Sequence, residues 1–117
     1  MKSLGDSYEQ WAAHWIEQKG LQIVSRNYRC KLGEIDLIAC DRGQLVFVEV
    51  RARSISRYAR APESVDQRKQ DKLRRTALHY LLQRYQTTAV HCRFDVVAIE
   101  PRQSPDNPAV RWIRSAF

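Results

Sequence analysis

The chain lacks the devices by which several protein classes are recognised. No apolar stretch approaches the roughly 20 residues of a membrane span, and Met1–Gln10 has no apolar signal-peptide core. Cys30, Cys40 and Cys92 are odd in number and contain no Cys-x-x-Cys pair, so neither a disulfide framework nor a structural zinc site is indicated. His91 and Cys92 are neighbours, but adjacent strand residues point to opposite faces and make poor co-ligands. The expectation is a cytoplasmic protein with reduced thiols and no membrane association. Internal repeats and linkers are also missing. With 117 residues, positions 1–117 suffice for one domain with a single core.

What the chain has is positive charge, at a formal +7. Between Arg51 and Arg84 lie 10 Lys/Arg against three acids, half of all 20 cations. A field concentrated in this way suits a phosphate backbone.

Leu4, Tyr8, Trp11, Ala12, Trp15 and Ile16 recur at helical spacing, and Gly20 stops that helix. Three strands follow, at about Leu21–Tyr28, Glu34–Cys40 and Leu45–Arg51, with Asp41-Arg42-Gly43 as the turn between the last two. Residues 54–64 read as an exposed loop suited to substrate selection. A long helix is expected from about Ser64 to Tyr85, with Val65, Leu73, Ala77, Tyr80 and Leu81 inward. A fourth strand spans Arg93–Ile99, and a short edge strand is expected at Val110–Ile113. The order helix, three strands, helix, strand predicts an α/β domain: a mixed central sheet flanked by helices.

Residues 33–51 break pattern most sharply. Gly33-Glu34-Ile35-Asp36-Leu37-Ile38 and Leu45-Val46-Phe47-Val48-Glu49-Val50-Arg51 are apolar runs interrupted by carboxylates. A buried, unpaired charge costs several kcal/mol. If the two strands form an antiparallel hairpin, Asp36 and Glu49 sit side by side, close enough to share one hard cation. Lys69 falls on the apolar side of its helix and Glu9 at the border of the first, so both can project toward the pair. The bland alternative is that Asp36 and Glu49 form buried ion pairs with Arg51 or Lys69 and do nothing else. Trp11 and Trp15 read as core.

The pattern Gly5…Glu9…Ala12…Gly20…Asn27…Gly33-Glu34-Ile35-Asp36-Leu37…Phe47-Val48-Glu49-Val50-Arg51-x-Arg53…Val65…Lys69…Leu73…Ala77…Arg93-Phe94-Asp95 resembles the YraN-like proteins. Through them it is similar to the PD-(D/E)XK nuclease superfamily and to archaeal-type Holliday junction resolvases. The resemblance implies a restriction-endonuclease-like core and Mg²⁺- or Mn²⁺-dependent endonuclease activity on structured or branched DNA. It further implies that Asp36, Glu49 and the Val50 carbonyl hold the metal. Glu9, Arg51 and Lys69 would complete the catalytic site, and Arg53, Arg57, Arg60 and Lys72 would track phosphates. Arg51 stands where the superfamily usually has lysine, and arginine cannot act as a general base. That departure implies slower cleavage or a descendant that only binds nucleic acid. A third reading is an interaction subunit with a basic face for an acidic partner. Resolvase-like action would need a two-fold homodimer.

Overall fold

The computed structural model describes residues 4–52, 65–100 and 109–117, with side chains from Ser7 onward. Seven elements follow one another: α1 (Leu4–Gln18), β1 (Gln22–Cys30), β2 (Gly33–Asp41), β3 (Gln44–Ala52), α2 (Gln67–Tyr85), β4 (Cys92–Glu100) and β5 (Ala109–Ile113). The five strands form one mixed sheet in the order β1-β2-β3-β4-β5, antiparallel throughout except for the parallel pair β3 and β4. A parallel neighbour requires a crossover, and α2 supplies it. The expected α/β architecture is therefore present, with β5 as the expected edge strand.

Each helix covers one face of the sheet. The apolar spacing of α1 buries Ala12, Ala13 and Ile16 against Leu37, Ala39, Val46, Val48, Val97 and Ile99. On the opposite face, Leu73, Ala77, Tyr80 and Leu81 of α2 pack on Ile35, Ile38, Leu45 and Phe47. Strands β3 and β4, covered on both sides, are apolar on both, as central strands must be. Trp11 and Trp15 lie half-buried at the rim of the α1 layer, and Trp15 meets Trp112 of β5 edge-on.

Local chemistry sets the boundaries. Helix α2 begins three residues later than its periodicity suggests, because Asp66 caps it by accepting from the Lys69 N–H at 2.8 Å. Between Asp41 and Gln44, paired across β2 and β3, Arg42 and Gly43 both take positive φ, 52° and 85°. That is the two-residue hairpin geometry whose twist matches the flanking strands. The three cysteines are free thiols, each partly buried. Among the described residues, no helix is long and apolar enough to cross a membrane.

Candidate functional site

The site lies where β2 and β3 separate. Their paired register ends at Leu37 opposite Val48, one step before Asp36 and Glu49 would face each other. The next strand N–H, that of Val50, donates instead to Asp36 Oδ2 at 2.8 Å. A side chain thus replaces a backbone acceptor in the ladder, and the Asp36 carboxylate is drawn in between the two strands rather than out from one face. The expected alternation on β2 slips here, since Ile35 joins Ile38 in the α2 layer. On the other flank, Asn27 of β1 lies between the paired Arg26 and Tyr28 with φ 53°. Asparagine tolerates that left-handed conformation better than most residues.

Residues from both helix layers converge on this gap. Glu9 of α1 hydrogen-bonds the Asp36 side chain, which requires one proton between the two carboxyl groups. From α2, Lys69 Nζ stands 3.4 Å from Glu49 Oε1. Lys69 leaves α2 on the same face as Leu73, Thr76, Ala77 and Tyr80, as its spacing suggests, but at the first turn of the helix, where that face is not covered. Its side chain is 46% exposed and its ammonium meets Glu49, whose own side chain is 10% exposed. Arg51, half-buried two residues beyond Glu49, adds positive potential there.

Burial pushes both carboxyl groups above their ordinary range. For Asp36, desolvation outweighs the opposing help of the Val50 N–H, the Glu9 hydrogen bond and the Lys69 charge. Glu49 is raised to about 7, first by desolvation and then by the Asp36 charge, with Lys69 and Arg51 pulling the other way. Two carboxyl groups disfavoured as anions by burial, Glu49 also by the Asp36 charge, with one lysine acting on both, form a donor set that a divalent cation would relieve. Among the described residues, no cluster of three or more His, Cys, Asp or Glu side chains forms a metal cage. An oxygen site of two carboxylates suits Mg²⁺ or Mn²⁺ all the same, because Mg²⁺ keeps several waters and binds through one or two carboxylates.

Of the residues singled out in the sequence, Glu9, Asp36, Glu49, Val50, Arg51 and Lys69 come together. Lys72 lies one turn along α2 from Lys69, exposed. Arg53, Arg57, Arg60 and the rest of the loop at 54–64 lie outside the described residues. Val50 meets Asp36 through its N–H, and in a strand the carbonyl of a residue opens to the same side as its N–H.

A second polar cluster escaped the sequence reading. Asp95, fully buried on β4, accepts from Arg93 Nε at 3.0 Å, Trp112 Nε1 at 2.9 Å and the Ser115 N–H at 3.0 Å. Arg93 continues to Asp41 Oδ2 at 3.1 Å and Gln44 Oε1 at 2.9 Å. The cluster ties β5 to the sheet, toward the opposite end of the strands from Asp36. The Arg93-Phe94-Asp95 spacing was its sole trace in the sequence.

Comparison with known proteins places the whole site inside a shared region. The profile of the "Uncharacterised protein family UPF0102" matches residues 8–99. A UPF0102 protein of Methylococcus capsulatus is 46% identical over 113 residues, covering 97% of this chain and 89% of its own length. One from Nitrosococcus oceani is 44% identical over 113 residues, with 97% and 90% covered. One from Aeromonas hydrophila is 47% identical over 116 residues, with 98% and 85% covered.

Proposed function

The chain belongs to the uncharacterised family UPF0102, the YraN family, and on that footing we propose that it is a Mg²⁺- or Mn²⁺-dependent endonuclease. Its substrate is structured or branched DNA, whose phosphodiester bonds it hydrolyses. The observation that carries this reading is the carboxylate pair of Asp36, half-buried, and Glu49, buried, set where two strands part and held above the ordinary carboxylate range by desolvation and, for Glu49, by the neighbouring charge. A fold has many cheaper ways to end a strand pairing than to draw two acids out of water beside each other. The mixed sheet between two helices, in the order α1-β1-β2-β3-α2-β4, fits a restriction-endonuclease-like core.

The roles follow from chemistry. Asp36, Glu49 and the Val50 carbonyl would hold the metal, which when bound supplies Lewis-acid stabilisation of the phosphoryl charge and a lowered water pKa. Arg51 clamps phosphate oxygens and stabilises charge developing on them, and it moves no proton. Lys69, already directed at Glu49, offers a second cation to the same phosphate. Glu9 fixes Asp36 through their shared proton. Lys72, with Arg53, Arg57 and Arg60, extends positive charge along the phosphate backbone.

Calorimetric titration with Mn²⁺ tests the site directly. One bound ion per chain is expected, lost in Asp36→Asn. A second reading is favoured by one contact: the Lys69–Glu49 ion pair at 3.4 Å already half-neutralises the site. On that reading the chain is a nucleic-acid-binding module that retains the nuclease architecture, and Mn²⁺ finds no specific site.

A further inference from the structure

Lys69 has a second neighbourhood. Besides meeting Glu49, it lines a cavity of about 330 Å³ between the β1–β2 turn and the first turns of α2. Two more cations, Arg29 of β1 and Lys72 of α2, line the same cavity, against one acid, Glu34. Three positive charges less one negative leave a net two. We propose that this cavity is a nucleotide subsite. It would hold the phosphate of a nucleotide that flanks the scissile phosphate on the same strand. The inference rests on the nuclease reading for its position in the strand, though not for the binding itself.

Several features separate the cavity from an ordinary basic surface. Its volume lies within the range of sites that enclose small organic ligands, and it exceeds the needs of a bare anion. Leu73, 4% exposed, and Cys30 give it an apolar wall against which a sugar or base can rest. Arg29 and Glu34 are directly opposed in the β1–β2 ladder and ion-paired at 3.2 Å at the exposed rim of the cavity.

Gly33 forms the close contact on the strand side. A Cβ there would stand 2.9 Å from Thr76 Oγ1 and 3.0 Å from Lys72 Cε, and its φ is 153°. Glycine therefore lets the Lys72 stem lie against the strand beside the cavity it lines. Lys69 links the two places, since it lines the cavity while its Nζ reaches Glu49. A strand lying across it would present successive phosphates to the cavity and to the carboxylate pair.

The test titrates the full chain, free of metal, with thymidine monophosphate, thymidine and inorganic phosphate, followed by amide chemical shifts. Thymidine monophosphate is expected to shift the amides of Arg29, Gly33 and Leu73, and more tightly than either thymidine or inorganic phosphate. Arg29→Gln with Lys72→Gln, both exposed and outside the core, is expected to weaken it about tenfold or more. Asp36→Asn should leave it intact. Shifts elsewhere, equal affinity for inorganic phosphate, or unchanged binding in the double variant would overturn the subsite. Failure of the nuclease reading shows separately, as loss of the Mn²⁺ site in a chain that still binds the nucleotide.

Discussion

Asp36 and Glu49 stand in an environment that favours their protonated forms, and this gives the residue scale its clearest consequence. Glu49 is raised from an ordinary 4.5 to about 7, so between those values the native state holds a proton that the unfolded chain has released. Native binding of more protons means that stability falls as pH rises through this window and stays low above it. Without metal, the protein should therefore melt at a higher temperature at pH 5 than at pH 8. The difference is on the order of 2 kcal/mol, and Glu49→Gln should flatten it. Thermal unfolding in a chelator at the two pH values checks this, and a rise in stability toward pH 8 would contradict it. Asp36→Asn makes the complementary case. An amide can still accept from the Val50 N–H and donate to Glu9, so the fold should be kept or stabilised while cleavage is abolished. DNA binding should be spared or tightened, since a negative charge facing phosphate is gone. Arg51→Ala should slow cleavage about 100-fold, the loss typical of removing one preorganised stabiliser of transition-state charge.

At the scale of elements, the site depends on a fork between β2 and β3, and the rest of the sheet must hold that fork open. Asp95 does this for the far edge, through bonds from Arg93, Trp112 and Ser115. Asp95→Leu would strand Arg93 beside Asp41 and free β5, at a cost of about 3–5 kcal/mol. Hydrogen exchange should then accelerate at Ala109–Ile113 before it does in β2 or β3. Simultaneous loss of protection throughout would deny β5 that separate role. The elements themselves were legible because periodicity is local. Phe47-Val48-Glu49-Val50 reads as a central strand, and Arg42-Gly43 as its turn, from a few neighbours alone. What the sequence could not carry was geometry made by distant partners. Asp41, Arg93 and Trp112 are joined only by the sheet, so their network had no signature beyond a period-two spacing. The inward turn of Asp36 between strands was equally hidden, since strand periodicity assigns a side chain to one face or the other. Lys69 was legible in its direction, since its ammonium does reach Glu49, and not in its burial: helical spacing says which face a stem leaves from, not whether that turn of the helix is covered.

For the whole molecule, the formal charge of +7 on 117 residues means that the proposed nucleic-acid binding carries a strong electrostatic component. Affinity for a four-way junction should fall steeply with salt, and Lys72→Gln should reduce the slope of log affinity against log salt by about one. A salt-insensitive complex would point instead to an acidic protein partner. Symmetric cleavage of a junction further requires two sites, and hence a two-fold dimer on the DNA.

The central claim is that the carboxylate pair of Asp36 and Glu49 serves hydrolysis. Cleavage of a labelled four-way junction and its matched linear duplex, in Mn²⁺, with Glu49→Ala beside the wild-type chain, tests it most directly. The account predicts nicking of the junction in preference to the duplex, abolished in Glu49→Ala while junction binding persists. Tight junction binding by the wild-type chain with no cleavage would contradict it, and would leave a nucleic-acid-binding module in which Lys69 and Glu49 are simply an ion pair.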